Sequence, residues 1–378
     1  MQNSDANSDV NSPSQTSSKR LVFCITELDP GGAEKALVRI AVGLKDLGWD
    51  VSVVSLRDAG VMAQPLHAAG IPVTALKCGW FGDVRAVYRL TRHLIASPPE
   101  ILLCFLHQAN IVGRIVGRWL KLPRVVSGIR VADSRRWIIW SDRLTRRLVD
   151  HYVAVSDAVA ELHSRLCGIP SSKISAIPNG VDLPAEPSRR VVLGSPSSFR
   201  ILYVGRLTAQ KSPQTLVEAF CRLSDGVRTA TTLDFIGDGP QRSAMTRLIQ
   251  QRGLSDRVRL LGHRDDVADF LQAADLLVLP SIWEGLPNVV LEAMAHRLPV
   301  VASDVDGVRD LIRDKDTGWL VPPGQPDDLA ATITQVLQSP QLRAEVAENA
   351  FAMVKENFTW DAAIRKYDGL LCRLMKSD

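Results

Sequence analysis

Continuous apolar runs of four to six residues, separated by longer amphipathic stretches, recur through most of this 378-residue chain. Residues 200–204 (Arg-Ile-Leu-Tyr-Val) and 276–280 (Leu-Leu-Val-Leu-Pro) are examples. Runs that are continuous rather than alternating are typical of strands buried on both faces of a parallel sheet. Alternation of such strands with helices over this length predicts an α/β fold built from doubly wound, Rossmann-like parallel sheets.

The predicted strands fall into two series. The first comprises 20–25, 50–56, 73–76, 101–105, 124–128, 151–155 and 174–177, and the second 200–204, 232–236, 257–261, 276–280 and 299–303. Helical patterns occupy 33–47, 109–120, 212–224, 241–251 and 288–296, and the chain is helical from about 326 to its end. Because Pro and Gly are dense between 177 and 198, we place the domain linker there.

The predicted organisation is therefore a tail, two domains and a C-terminal helix. Residues 1–18 hold almost no apolar side chains, so we expect a disordered tail. A first Rossmann-like domain over 19–185 and a second over 198–355 follow, with a cleft between them. Residues 356–378 supply the last helix.

Composition excludes several classes of protein. Charged residues make up 23% of the chain, close to the globular average of about 25%, which excludes a disordered, collagen-like or coiled-coil protein. The six Cys never form a Cys-x-x-Cys pair, so we predict reduced thiols in a cytosolic protein rather than a disulfide scaffold. No apolar run of about 18 residues and no leader pattern is present, so neither a membrane span nor a secretory signal is predicted.

Basic residues are concentrated in one part of the first domain. Residues 84–147 hold 13 Lys and Arg against three Asp and Glu, and Arg alternates with Trp and Ile over 134–147. This composition is typical of a helix that lies on an anionic membrane surface. The open alternative is that the Trp and Ile side chains pack inward beneath a solvated Arg face. Nucleic acid is the least favoured partner, and none is predicted.

The first motif is Gly31-Gly32, which follows the first strand and opens a helix. Adjacent glycines let backbone N–H groups approach a ligand closely, and the helix N-terminus favours an anion. The dinucleotide fingerprint Gly-x-Gly-x-x-Gly is absent here, so a typical NAD domain is not predicted.

A second motif, Gly205-Arg206 with Lys211, follows the first strand of the second domain. Open α/β sheets bind ligands at the carboxyl ends of their strands, so both cations should reach the cleft between the domains. An Arg fork with a Lys point charge suits a diphosphate.

The third motif runs from Ser281 to Glu292, again after a strand. The N–H groups near Asn288 and Val289 should point at an anion from the first turn of a helix. Glu292 lies one turn beyond Asn288, and Glu284 lies in the preceding loop. Two carboxylates so placed can accept hydrogen bonds from two hydroxyl-bearing parts of one ligand.

Together these motifs resemble those of the retaining glycosyltransferases with the GT-B fold, the large family 4-like group that includes bacterial mannosyltransferases and glycogen synthases. The resemblance covers roughly residues 20–370. Its residues are Gly31-Gly32-Ala33-Glu34, the segment 177–182 (Ile-Pro-Asn-Gly-Val-Asp), Gly205-Arg206 with Lys211, Glu284 with Glu292, and the segment 318–324 (Gly-Trp-Leu-Val-Pro-Pro-Gly).

The resemblance implies a hexosyltransferase that moves a sugar from a UDP- or GDP-sugar to an acceptor hydroxyl with retention, in cell-envelope or extracellular polysaccharide synthesis. It implies that the nucleotide-sugar lies mainly on the second domain, that no cofactor or metal is needed, and that the last helix crosses back to the first domain. The implied catalytic residues are Arg206 and Lys211 on the diphosphate, Glu284 on the sugar, and His107. Among the remaining implied donor-site residues, His263 and Arg264 lie near the base and Glu292 binds the ribose. The others are Gly31, Gly32, Gly205, Gly285, Leu286, Asn288 and Val289.

Three positions depart from the family pattern. Relatives carry a His directly before Ala-Asn, where this chain has Gln108, and His107 stands one position earlier. Asp304-Val-Asp306 reads like the metal signature of a different glycosyltransferase fold, and we interpret it as a solvated turn without metal. Asp310 stands where relatives have Glu.

Two alternatives to a glycosyltransferase remain at this stage. A non-catalytic sugar-nucleotide-binding subunit would explain the His-to-Gln difference at Gln108. A sugar-nucleotide epimerase shares the fold but lacks this combination of motifs. For the enzyme we expect a glycan or lipid-linked acceptor and a cytoplasmic location, on the inner face of the cell membrane.

Overall fold

The computed structural model describes residues 19–79, 83–130, 135–184 and 198–376, and the predicted tail and most of the predicted linker lie outside them. The described chain forms two parallel sheets of seven and six strands with helices on both faces. The predicted α/β fold of two doubly wound domains is therefore confirmed.

The first sheet has the strand order β3-β2-β1-β4-β5-β6-β7, and every pairing is parallel. Its strands are β1 (Arg20–Ile25), β2 (Asp50–Ser55), β3 (Val73–Ala75), β4 (Ile101–Phe105), β5 (Arg124–Ile129), β6 (His151–Ala154) and β7 (Ile174–Ala176). Its helices are α1 (Gly32–Asp46), α2 (Ala63–Ala68), α3 (Val84–Ala96), α4 (His107–Trp119), α5 (Arg136–Thr145) and α6 (Asp157–Cys167).

The second sheet has the order β10-β9-β8-β11-β12-β13 and is also parallel. Its strands are β8 (Phe199–Val204), β9 (Thr231–Ile236), β10 (Val258–Gly262), β11 (Leu276–Leu279), β12 (Val300–Ser303) and β13 (Trp319–Val321). The helices are α7 (Pro213–Cys221), α8 (Asp225–Thr229), α9 (Arg242–Gln251), α10 (Val267–Ala273), α11 (Asn288–Ala295), α12 (Asp306–Arg309), α13 (Pro326–Gln338), α14 (Pro340–Asn357) and α15 (Trp360–Lys376).

Strand β1 shows why the apolar runs are continuous. Leu21, Phe23 and Ile25 pack into the core on one face of the sheet, whereas Val22 and Cys24 pack into the core on the other face. Since successive side chains point to opposite faces, a strand covered on both sides must be apolar at every position.

The last helix, α15, returns to the first domain and packs along α1. Tyr367, Leu370 and Leu371 are buried in the core that α1 and β1 share. Just before this helix, the Phe358 carbonyl accepts a hydrogen bond of 2.8 Å from the Val181 N–H. The two passages of the chain between the domains therefore lie side by side.

The basic segment 84–147 covers one face of the first domain through α3, α4 and α5, which contact one another in that order. Of the twelve large apolar side chains that the described residues expose, eight belong to these three helices. Trp137 and Trp140 are 47% and 66% exposed, so the inward-packing alternative is wrong for both tryptophans, although Ile138 is buried. Within the described parts of the chain, no helix combines the length and apolar character needed to cross a bilayer.

Candidate functional site

Both sheets reverse their strand order at neighbouring central strands, β1 with β4 and β8 with β11. Loops that leave the carboxyl ends of such strands form the crevice where α/β proteins bind ligands. Four segments singled out by the sequence follow these strands: the loop to α1, the start of α4, the loop to α7 and the loop to α11.

The loops after β8 and β11 meet in a buried ion pair. Lys211 Nζ donates to Glu284 Oε1 at 2.6 Å, and Ser281 Oγ donates to the same oxygen at 2.6 Å. The side chains of Lys211 and Glu284 are 20% and 6% exposed. Both bonds end on Oε1, so the Oε2 atom of Glu284 is free of these two donors. Lys211, predicted to hold the diphosphate, and Glu284, predicted to hold the sugar, are thus bonded to each other.

The loop that carries Arg206 is fixed through its backbone. The carbonyl of Arg206 accepts from the Tyr203 hydroxyl at 3.2 Å, and the N–H of Gly205 donates to the Ile236 carbonyl at 2.9 Å. Burial, with the Glu284 charge adding to it, raises the pKa of Tyr203. The Arg206 side chain is exposed, and no carboxylate in the described part of the chain pairs with it. The backbone of Arg206 is therefore fixed, while its guanidinium lies exposed to solvent.

Helix α11 presents its N-terminus and one carboxylate to the cleft. Asn288 is its first residue, and Pro287 occupies the N-cap position. Glu292 is half-buried one turn later, and burial raises the pKa of its carboxyl group. Lys35 of α1 opposes that shift, so this first-domain cation lies near Glu292 across the cleft.

The N-terminus of α1 faces that of α11. Asn288 Nδ2 lies 3.3 Å from the position that a Cβ would take at Gly32. A Cβ at Gly31 would collide with the Glu34 carboxylate, which folds back over the first turn of α1. Two helix N-termini at one place give a concentration of N–H groups and positive dipole ends, which favours a phosphate.

A third helix, α6 of the first domain, contacts the loop that precedes α11. Ser156 caps this helix by accepting from the Val159 N–H at 3.2 Å, and its hydroxyl donates to the Gly285 carbonyl at 3.0 Å. The Asp310 carboxylate of the second domain accepts from the Ala158 N–H at 3.2 Å. Asp310, noted above as a departure from the family pattern, therefore joins the two domains.

Comparisons with known proteins agree with this geometry. The model for glycosyl transferases group 1 matches residues 186–353, and the model for glycosyltransferase family 4 matches residues 30–184. An uncharacterised glycosyltransferase of Methanocaldococcus jannaschii is 31% identical over 284 residues, which are 69% of this chain and 72% of that protein. The chain belongs to the family 4-like glycosyltransferases with the GT-B fold.

Other relatives and structures place this glycosyltransferase more widely. The UDP-Gal:alpha-D-GlcNAc-diphosphoundecaprenol alpha-1,3-galactosyltransferase of Escherichia coli is 26% identical over 295 residues, 72% of this chain and 76% of that protein. Two further relatives align over only 42% and 51% of their own lengths. The crystal structure of Anabaena HepE in complex with UDP-glucose has a TM-score of 0.81 at 23% identity, covering 94% of this chain and 99% of that one. At that identity the likeness concerns the fold.

His107 begins α4 of the glycosyltransferase and turns toward α5. Its Nε2 lies 3.2 Å from Ser141 Oγ, and its ring meets the ring of Trp137 edge-on at 5.0 Å. Gln108, the next residue, is buried. The residue before the helix, Leu106, has φ of 70° and ψ of 154°, a strained conformation for a residue with a side chain. Strain of this kind clusters at functional sites.

The two residues predicted near the base lie on the surface after β10. His263 is 78% exposed, and its Nε2 lies 3.5 Å from Asp265. Arg264 pairs with Asp266 at 2.6 Å and lies over the ring of Phe270. A nucleobase would have to compete with these carboxylates for both side chains.

The pair Asp304 and Asp306 is engaged by one cation. Arg309 Nε donates to Asp304 at 2.6 Å, and its Nη1 lies 3.3 Å from Asp306. All three side chains are at least 39% exposed. Among the described residues, no group of three or more metal-ligating side chains is found.

Three functional candidates were missed by the sequence reading. Ser281 was quoted only as the start of a motif, yet it holds the Glu284 carboxylate. Lys35 follows Glu34 on α1, and its charge acts on the Glu292 carboxylate. Asn179, within the linker motif, donates to Asn288 Oδ1 at 2.8 Å. Lys35 could have been found from helix periodicity, since it lies in the first turn behind Gly31-Gly32.

Proposed function

We propose that this glycosyltransferase moves a sugar from a nucleoside diphospho-sugar, with UDP or GDP as the nucleotide, to a hydroxyl of a glycan or lipid-linked acceptor. The transfer proceeds with retention at the anomeric carbon and without a metal ion. The observation that carries the proposal is the meeting of the N-termini of α1 and α11. Arg206 and the Lys211–Glu284 pair lie on the loops that follow β8 and β11, at the same edge of the second sheet.

The chemistry requires positive charge at one place. The bond between the anomeric carbon and the diphosphate breaks, the acceptor oxygen bonds to that carbon, and the hydroxyl proton leaves with the diphosphate. Negative charge therefore grows on the leaving phosphate as the reaction proceeds. Arg206, Lys211 and the two helix N-termini would stabilise this charge where it develops, which would lower the barrier. The same cations would neutralise the charge of the diphosphate in place of a metal ion.

Residues of the second domain would hold the rest of the donor. Glu284 Oε2 and the N–H groups of Gly285 and Leu286 line the loop before α11, where the sugar hydroxyls would lie. Glu292, with its carboxylate half-buried one turn into α11, would accept from the ribose hydroxyls.

The printed names of the relatives support the donor and acceptor classes. The Escherichia coli protein is named for UDP-galactose and for an acceptor linked through a diphosphate to undecaprenol. Anabaena HepE was crystallised with UDP-glucose. By analogy we assign a nucleotide-sugar donor and a lipid-linked or polysaccharide acceptor to this chain.

The face formed by α3, α4 and α5 suits an anionic membrane surface on the cytoplasmic side. Large apolar side chains stand exposed on each helix and Arg residues are placed among them, as in helices that lie at a bilayer interface. A cavity of about 460 Å³ at the edge of this face is lined by Lys77, Tyr88, Arg89, Arg92 and His93, which suits a phosphorylated headgroup.

Thermal unfolding with UDP, GDP and ADP, each with and without EDTA, tests the donor proposal. A ligand that binds only the folded state stabilises it by about 2.7 kcal/mol at a hundredfold excess over its Kd. We expect a shift with UDP or GDP that EDTA leaves unchanged. Arg206→Ala should reduce turnover about a hundredfold or more, whereas Arg247→Ala, an exposed arginine of α9, should not. A shift abolished by EDTA would contradict the metal-free proposal.

Sedimentation with vesicles tests the membrane proposal. We expect binding to vesicles that contain phosphatidylglycerol, weaker binding to pure phosphatidylcholine, and loss of binding in Arg92→Glu with Trp140→Ser. Arg247→Glu serves as the matched charge change on the second domain. Equal binding of both variants would contradict the assignment of this face.

A further inference from the structure

Arg130 is a half-buried cation at the carboxyl end of β5. Its Nη1 donates to the Tyr367 hydroxyl at 3.3 Å, and its Nη2 donates to Asn179 Oδ1. The guanidinium lies over the ring of Phe105, 5.1 Å from its centroid. Burial lowers the pKa of this guanidinium, and the Tyr367 hydroxyl and the Glu34 charge only partly oppose the shift. No carboxylate of the described residues forms an ion pair with it. The hydrogen-bond partners of Arg130 are therefore neutral groups, which a guanidinium can orient because it only donates.

Asn179, the partner of Arg130, is buried and forms a second hydrogen bond. Asn179 is 5% exposed, and its Nδ2 donates to Asn288 Oδ1 at 2.8 Å. Asn288 in turn holds its Nδ2 toward Gly32 of α1. A chain of side-chain contacts thus runs from β5, through the linker segment, to the start of α11 and on to the start of α1.

The direction of this chain is set by Arg130. A guanidinium has only donors, so the amide of Asn179 must face it with its oxygen. The nitrogen of Asn179 then donates to Asn288, which accepts through its own amide oxygen. The amide nitrogen of Asn288 is thereby turned toward Gly32. Without the guanidinium, either amide can rotate by half a turn and exchange its oxygen for its nitrogen.

We propose that Arg130 is a positioning residue for sugar transfer. It orients the amides of Asn179 and Asn288, and so fixes the N-terminus of α11 against the Gly31-Gly32 loop. This inference rests on the proposed function, because that junction is where the diphosphate would lie. Misplacement of a reacting group by about 1 Å can cost about a hundredfold in rate, so loss of this orientation falls on turnover.

Double-substitution kinetics test the proposal. We expect Arg130→Met and Asn179→Leu each to lower kcat by about ten- to a hundredfold, with Kd for the nucleotide within about threefold of the parent protein. The double variant should be no slower than the slower single variant, because both break the same chain. Effects that multiply would show that Arg130 acts independently of Asn179 and would overturn the proposal.

Two further variants separate orientation from folding. Arg124 begins the same strand and donates to the Leu374 carbonyl of α15 at 2.7 Å, so Arg124→Met is a matched loss of an arginine that touches the last helix far from Asn179. Its kcat should stay within about twofold of the parent. Arg130→Lys keeps a donor for Asn179 and should restore kcat to within about fivefold. A lysine variant as slow as Arg130→Met would overturn the proposed orientation.

Hydrogen exchange supplies a readout that does not depend on catalysis. In the protein without ligand, Arg130→Met should speed exchange of the amides at 289–292, while Arg124→Met should not. Unchanged exchange at the start of α11, or a raised acceptor KM at unchanged kcat, would overturn the proposal. If the parent protein showed neither turnover nor a nucleotide shift, the proposed function would fail while this exchange test would still stand.

Discussion

Replacing Lys211 by Met removes one member of the Lys211–Glu284 ion pair at the proposed donor site. Glu284 would keep only the Ser281 hydroxyl as a partner inside a site where its side chain is 6% exposed. Breaking a buried pair by deleting one partner costs about 3–5 kcal/mol. Because the Lys211 side chain is 20% exposed, we expect the lower end, about 3 kcal/mol.

The loss is large enough to be read by calorimetry. In a domain of 150–250 residues, 1 kcal/mol moves Tm by about 2–4 °C, so Lys211→Met should unfold about 6–12 °C lower in the absence of nucleotide. The matched control is Arg242→Met, which breaks an exposed pair with Asp238 whose side chains are 41% and 56% exposed. That change should stay within about 0.5 kcal/mol, and so within a degree or two.

A second arm removes the orphaned charge as well. When both members of a buried pair become apolar residues of similar size, stability is often unchanged or improved. Lys211→Met with Glu284→Leu should therefore recover most of the lost Tm but none of the activity. The reasoning is refuted if Lys211→Met unfolds within about 2 °C of the parent protein, or if the two losses simply add.

The remaining predictions concern the cleft. Gly31→Ala should lower turnover at least tenfold with an intact fold, because its methyl group displaces the Glu34 carboxylate over α1; unchanged steady-state kinetics would contradict this. Burial raises the pKa of Glu292, so the folded state favours its protonated form over its ionised form. The stability of the fold therefore declines as the pH rises and this carboxyl group loses its proton. Glu292→Gln should therefore unfold at a higher temperature than the parent at pH 7 without nucleotide, the difference vanishing near pH 4, and should bind UDP or GDP about tenfold or more weakly; a pH series of Tm with and without nucleotide decides. His107→Ala should slow turnover about tenfold or more, and an unchanged kcat would limit His107 to holding α5 through Ser141.

The fold could be predicted because buried parallel strands leave a plain signal. All of β1 to β12 coincide with predicted apolar runs to within a residue or two. β13 was missed because Gly318 and Pro322 cut its apolar run to three residues, whereas the runs at β3 and β7 extend to four. The strand is made by pairing with β12 rather than by its own sequence.

The site was predictable in its residues but not in their partnerships. Lys211 and Glu284 were assigned separate ligand groups, whereas the adjacency of β8 and β11 makes them bond each other. Asn179 belonged to a motif of the family resemblance, but no role could be assigned to it, because its partner Asn288 is 109 residues away in the chain. Side-chain pairs formed between domains depend on how the domains dock, which local pattern does not encode.

The return of α15 to the first domain bears on how the protein is made. The sheet of that domain is complete at Ala176, but Tyr367, Leu370 and Leu371, which bury one side of its core, are about 200 residues later in the chain. At about 5–20 residues per second of synthesis, the face of α1 waits about 10–40 s for its cover. The first domain emerges from the ribosome with an exposed apolar face, and its core closes only when the last helix has been released.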